Sequence, residues 1–160
     1  MSIRRRAAVI GAVSLGLVAL SACEKPTPLA TVTVGDKTVT TEANTKCYGN
    51  GKDLTTTALT ACLNMVKPTK TITVGAGDEV HIGVDPAVAK KGWLVAAGLT
   101  PKTNVLTNKT YWSLGEQDAL FTDASTGAST NSVTLNIIET AGANAKAYLG
   151  VWQVKLVKKD

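Results

Sequence analysis

Lys70 to Val84 reads KTITVGAGDEVHIGV, and this stretch decides the fold class. Ile72 and Val74 alternate with threonines. Gly75 to Asp78 turns the chain, and Val80, Ile82 and Val84 resume the alternation. An apolar residue at every second position puts one face of an extended segment against a core and the other against water. Thr31 to Thr40 (TVTVGDKTVT) follows the same logic, with Val32, Val34 and Val39 as its apolar positions. Gly35-Asp36 sits where a two-residue hairpin loop needs positive φ, so the segment reads as a β-hairpin. Working outward, Val133, Leu135 and Ile137 alternate with Thr134, Asn136 and Ile138. Trp152, Val154 and Leu156 interleave with Gln153, Lys155 and Val157 in a last strand. Trp93 to Leu99 (WLVAAGL) is continuously apolar, which suits a strand covered on both faces.

Helix signals are sparse. Pro86 to Lys91 reads as one helical turn, with Asp85 as N-cap, Pro86 at N1 and Gly92 as the stop. Leu54 to Val66 points both ways. Leu54, Ala58, Leu59, Cys62, Leu63 and Val66 match helical spacing, while Thr55, Thr56, Thr57 and Thr60 are β-branched and oppose it. A short helix and a loop both remain open there. Gly115 to Asn131 is polar and rich in small residues, interrupted by Leu120 and Phe121, and reads as a long surface excursion. Many short alternating runs with little helix predict an all-β fold. The expected form is an antiparallel, immunoglobulin-like β-sandwich with at most one or two short helices.

The first 23 residues, MSIRRRAAVIGAVSLGLVALSAC, carry a different message. Arg4, Arg5 and Arg6 form a positive start, and Ala7 to Leu20 is uncharged. Leu20-Ser21-Ala22-Cys23 resembles the lipobox of bacterial lipoproteins. Small side chains at Ser21 and Ala22 admit a peptidase, and the Cys23 thiol can take a diacylglyceryl group as a thioether. A retained membrane span needs about 20 predominantly apolar residues, and the block from Ala7 to Ala22 is shorter. The expectation is a signal peptide over 1–22, a lipidated tether over 23–30 and one β-sandwich domain over 31–160. The protein would sit lipid-anchored on the extracytoplasmic face of the cell membrane. Glu24 to Pro28 (EKPTP) is polar and proline-bearing, as a tether should be.

Removal of residues 1–22 changes the charge. The whole chain has 17 Lys plus Arg against 12 Asp plus Glu. The three arginines all lie in the leader, so 14 cations face 12 anions and the net charge falls from +5 to +2. A domain without Arg lacks the usual bidentate partner for phosphate and for guanine edges. Nucleic acid is therefore not an expected partner.

With Cys23 assigned to lipidation, Cys47 and Cys62 form an even pair in an exported domain, most simply a disulfide. It would close a loop of about 15 residues, contributing about 3 kcal/mol by chain-entropy reasoning. The competing reading is a metal or redox pair, but C-x14-C is not a zinc-knuckle spacing and no C-x-x-C occurs. Antibody-like domains place their cysteines on facing strands with a long separation and a Trp between them. Here no Trp lies between, so this bridge would pin a local loop.

Catalytic patterns are scarce. His81 is the one histidine, on the opposite face from Val80 and Ile82, and reads as a solvated strand position. A blue-copper site needs two His and a Cys. No serine sits in a G-x-S-x-G setting, and no phosphate-binding glycine loop is present. Glu116 and Asp118 could pair for glycoside chemistry, yet acids in a polar loop are ordinarily solvated. Asp118 and Asp123 fit no calcium-loop spacing. No cofactor or metal is expected. Trp93, Trp112 and Trp152 belong by default in the core of a domain with one Phe. Tyr111-Trp112 is the alternative, an exposed contact patch. Lys155, Lys158 and Lys159 read as a solvated basic tail.

One resemblance spans most of the mature chain. Ile72–Ile82 with Val84-Asp85, then Val88-Ala89 and Trp93, is similar to a family of small actinobacterial lipoproteins of unknown function. That family shares, in order, a lipobox, a hairpin, two cysteines, V-x-x-G-x-x-V-x-I-x-V, V-A-x-x-x-W and a terminal G-x-W strand, here Gly150-Val151-Trp152. The resemblance implies a surface lipoprotein and supplies no activity. Targeting without catalytic residues predicts a non-enzymatic envelope protein that presents its sandwich to an envelope protein or polymer. The alternatives are an envelope hydrolase using carboxylates within Gly115–Asn131, and a small-ligand carrier with an apolar pocket between the sheets.

Overall fold

The structure is a computed structural model, described here for residues 27–116, 119–123 and 126–159. The leader, Cys23 and the first residues of the tether lie outside the described residues. Nine strands and two helices follow one another: β1 Leu29–Val34, β2 Lys37–Glu42, α1 Thr56–Met65, β3 Lys70–Val74, β4 Glu79–Val84, α2 Pro86–Lys91, β5 Trp93–Ala97, β6 Thr100–Pro101, β7 Tyr111–Glu116, β8 Ser132–Thr140 and β9 Tyr148–Lys158. They form a four-stranded sheet in the order β2-β1-β4-β7 and a five-stranded sheet in the order β3-β9-β8-β5-β6. The fold is thus mostly β, with two sheets and two short helices, as the alternation predicts.

β1 and β2 make the expected hairpin, with Val34 opposite Lys37 and Gly35 at φ 57° in the turn. Lys70–Val84 behaves differently. The Asp78 carboxylate accepts from the Gly75 N–H at 2.7 Å, closing the expected turn. The strands on either side, however, enter different sheets. β3 pairs in parallel with β9, while β4 pairs antiparallel with β1 and β7. Alternation specifies which face is apolar, and an arch between two sheets satisfies it as well as a hairpin does. The sandwich is accordingly not wholly antiparallel. β1 also starts at Leu29 with Ala30 buried, so the folded body begins within the segment expected to be tether.

The space between the sheets is filled by Val32, Ile82, Trp93, Leu135, Ile137 and Trp152, each at 1 % exposure or less, with the valines and leucines around them. Trp93 and Trp152 are core residues, as their default reading expects. Each indole N–H finds a backbone carbonyl, that of Lys109 at 2.6 Å and that of Pro28 at 2.7 Å. A buried indole keeps its donor satisfied in this way. Leu120 and Phe121 also enter this core, so the excursion through Gly115–Asn131 is nailed down in its middle.

A second, smaller core lies on the other face of the five-stranded sheet. Ala96, Ile138 and Val151 meet Cys47, Cys62, Leu59 and Leu63 there. The structure therefore settles Leu54–Val66 as a helix, α1. Thr55 caps it by accepting from the Ala58 N–H at 3.1 Å, and Thr56, Thr57 and Thr60 face solvent. The β-branched residues that argued against a helix serve at its cap and on its wet side. A disulfide joins Cys47, in a short 3-10 turn, to Cys62 in α1 and holds the helix to that turn. α2 stands where the Pro86 signal places it, but Asp85 makes no side-chain cap. Its carboxylate instead accepts from the Leu29 N–H at 2.7 Å, tying α2 to the start of β1.

Candidate binding face

Nothing covers the outer face of the four-stranded sheet among the described residues, and its register builds a two-row polar surface. One row runs Thr38, Thr33, His81, Ser113 across β2, β1, β4 and β7. The other runs Thr40, Thr31, Gly83, Tyr111. Hydroxyls pair across β1 and β2, Thr33 with Thr38 at 3.0 Å and Thr31 with Thr40 at 3.4 Å. Such cross-strand threonine pairs each stabilise the sheet by about 0.2–1 kcal/mol.

The β4–β7 half carries the aromatic groups. Tyr111 is 56 % exposed, and Gly83 beside it offers no side chain. Its ring stacks on His81 with centroids 5.6 Å apart and planes inclined by 21°. The Tyr111 hydroxyl lies 2.6 Å from His81 Nδ1. If the phenol donates there, His81 carries its own proton on Nε2, towards Glu79 Oε2 at 3.7 Å. The Ser113 hydroxyl donates to the same Glu79 oxygen at 3.3 Å.

Serine, histidine and glutamate thus meet on one face, but not as a nucleophile relay. A relay needs the serine hydroxyl bonded to the imidazole, and the imidazole bonded to the acid. Here Ser113 is engaged by Glu79 while His81 Nδ1 is engaged by Tyr111. The arrangement orders a plane of hydroxyls and rings, which suits binding better than chemistry. His81 is also less solvated than its alternation suggests, with its side chain 28 % exposed against the Tyr111 ring.

The Tyr111-Trp112 patch is corrected by the pleat. Adjacent strand residues face opposite ways. Tyr111 faces outward, whereas Trp112 packs against the inter-sheet core, with the Lys109 ammonium 4.7 Å from its ring centroid. Sequence reading missed the hydroxyl rows and the Glu79–His81–Ser113 grouping. The two T-V-T runs, Thr31–Thr33 and Thr38–Thr40, were the available signal for the first; nothing local announced the second. Of the carboxylates that could serve hydrolysis, Asp118 and the Glu116 side chain lie outside the described residues. Asp123 accepts from the Thr126 N–H at 2.9 Å, a turn-forming contact. Lys155 and Lys159 are exposed.

Among the described residues, no group of three or more His, Cys, Asp or Glu side chains is placed to hold a metal ion, and no helix is long and apolar enough to cross a membrane. Compared with protein-family models, with curated proteins and with solved structures, this two-sheet β-sandwich chain has no match.

Proposed function

We propose that this chain is an exported lipoprotein, anchored through Cys23 on the extracytoplasmic face of the membrane. In this reading it has no catalytic role and uses the outer face of its four-stranded sheet to bind an envelope polysaccharide. The carrying observation is the Tyr111–His81 stack set among paired threonine hydroxyls on an uncovered sheet. A pyranose offers an apolar ring face to an aromatic plane and hydroxyls at its edge, and this surface offers both complements. Protein interfaces centre instead on an apolar patch, and the residues of these two rows are polar apart from Gly83. The Cys47–Cys62 disulfide fits an oxidising compartment outside the cytoplasm. The resemblance to small actinobacterial lipoproteins points to the same place.

The immunoglobulin-like reading belongs to this proposal. β1, β4 and β7 follow the A-B-E order of such domains, and β6, β5, β8 and β9 follow C′-C-F-G. β3 corresponds to a first strand that crosses to the second sheet and runs parallel to its last strand. Trp93, buried on β5, matches the core tryptophan of strand C. β2 and α1 are additions between the two parts of the first strand.

Co-sedimentation with isolated envelope polysaccharide tests the binding face. Tyr111→Ala should weaken retention about tenfold, the order expected for one stacked aromatic at a binding site. Equal retention of the wild type and the variant would remove the binding proposal. Intact-mass spectrometry of native material tests the anchor independently. A free thiol at Cys23, or Arg4–Arg6 still attached, would sink it.

A further inference from the structure

A second site, independent of the polysaccharide face, lies where the α1 roof ends. A cleft of about 540 Å³ opens there between the end of β2 with the turn after it, the link 66–70 from α1 to β3, and β9. Val151 and Gln153 of β9 belong to its lining and are buried, on the sheet face that α1 covers.

Gln153 is 6 % exposed, and its amide is locked in one orientation. Nε2 donates to the Cys62 carbonyl at 3.1 Å and to Asn136 Oδ1 at 2.8 Å. Asn136 Nδ2 in turn donates to the Gly98 carbonyl at 2.7 Å. A carbonyl at each end of this chain can only accept, so a flipped Gln153 would set oxygen against oxygen. Both Nε2 hydrogens are therefore spent inside the protein. Oε1 has no partner among the described residues and is not sealed from solvent. Because Gln153 lines the cleft, that acceptor is left facing it. The other buried polar side chain of the lining, Thr41, gives its hydroxyl hydrogen to the Glu42 carbonyl at 3.2 Å.

Glu139 Oε2, at the far end of the sandwich, is a contrasting case. It too lacks a partner among the described residues, but it is sealed from solvent, and its carboxylate is held by Lys91 at 3.1 Å. Burial, and then the Glu139 charge, push the Tyr48 phenol beside it up from its ordinary value.

The mouth of the Gln153 cleft carries charge. Glu42, Lys67 and Lys70 are exposed in its lining, and none of them forms a salt bridge among the described residues. Two ammonium groups against one carboxylate leave one positive charge in excess. Ala43, Val66 and Val151 supply apolar wall.

We infer that this cleft binds a small N-acylated amino acid, a carboxylate that also carries an amide N–H. The N–H donates to Gln153 Oε1 and supplies the hydrogen bond that this locked acceptor lacks. The carboxylate lies towards Lys67 and Lys70, and the side chain rests on the apolar wall. A ligand offering only acceptors would meet Oε1 with a second oxygen.

The test is NMR titration of the isotope-labelled full-length chain with N-acetylalanine. Two analogues separate the contacts. O-acetyllactate replaces the N–H by an ester oxygen at nearly the same size, and N-acetylalanine methyl ester removes the charge. N-acetylalanine should give saturable shifts at Ala43, Thr69 and the Gln153 side-chain amide. O-acetyllactate should bind about tenfold more weakly, the order of one hydrogen bond lost at a buried acceptor. That arm probes Gln153 without mutating it, which matters because Gln153→Leu also strands the Cys62 carbonyl. The methyl ester should bind about fivefold more weakly, as should N-acetylalanine to the chain with Lys67→Gln and Lys70→Gln, two exposed positions whose change leaves folding intact. Unsaturable shifts, equal affinity for either analogue, or unchanged affinity in the double variant would overturn the inference.

Discussion

The two sheets of this protein are built from the same alternating pattern, yet their outer faces have opposite fates. The outer side of the five-stranded sheet is roofed by α1, locked by Cys47–Cys62, and filled by Ala96, Ile138, Val151 and the helix leucines. Two of its polar residues, Asn136 and Gln153, are buried beneath it and hydrogen-bonded. Asn136 donates to the Gly98 carbonyl at 2.7 Å, and Gln153 donates to Asn136 at 2.8 Å and to the Cys62 carbonyl at 3.1 Å. The outer side of the four-stranded sheet carries Thr38, Thr40 and Tyr111 exposed, with Thr31, Thr33 and His81 half-buried between them. One outer face is committed to packing and the other is left available. That division is why function is sought on β1, β2, β4 and β7, where substitutions cost little stability.

The comparison predicts a ranked series of effects. The largest is expected from Cys47→Ala with Cys62→Ala. Losing a 15-residue crosslink should cost about 3 kcal/mol in urea denaturation, with α1 amides exchanging first. If the helix stays as protected as before, α1 is held by packing alone and the contrast between the faces weakens. Next is Asn136→Leu, which strands one N–H of the buried Gln153 amide and removes the donor to the Gly98 carbonyl. A loss of about 1–3 kcal/mol is expected, and a neutral result would show that the buried polar link is dispensable.

A third prediction concerns the sandwich end, between the two faces. Because the Tyr48 phenol is raised in the folded state, folding favours its protonated form. That contribution is complete below the unfolded value of 10.0 and is lost as pH rises through the folded value. Stability should therefore fall more steeply above pH 10.0 in the wild type than in Tyr48→Phe; parallel curves would refute this. The smallest stability effect is expected on the open face. Thr38→Val and Tyr111→Ala should each stay within about 0.5 kcal/mol of wild type, as surface changes do. A loss several times larger would mean that this face is structural.

Much of the sandwich was legible because burial on one face imposes period 2 on a strand. Val32, Val34, Val80, Ile82, Leu135, Ile137, Val154 and Leu156 all fall inward as the alternation requires. Trp93 and Trp152 were placed by bulk alone, since a domain with one Phe has few other large side chains. The helix at Thr56–Met65 was less legible. Local propensity there is divided, and the deciding terms are a disulfide to a distant turn and an apolar face supplied by β5, β8 and β9. The candidate face was legible only as isolated parts. Thr31, Thr33, Thr38 and Thr40 could be read as outward-facing, but their alignment with His81 and Tyr111 depends on β1 pairing with β4 and β4 with β7.

By itself, then, the chain's order of residues determined which positions meet water, where the turns fall and which cysteines could pair. These follow from side-chain chemistry and from periods of a few residues. Folding in three dimensions decided which sheet each strand joined, that β3 runs parallel to β9, and that Glu139 and Lys91 meet beside Tyr48. Those outcomes depend on contacts between segments far apart in the chain, which no local pattern encodes.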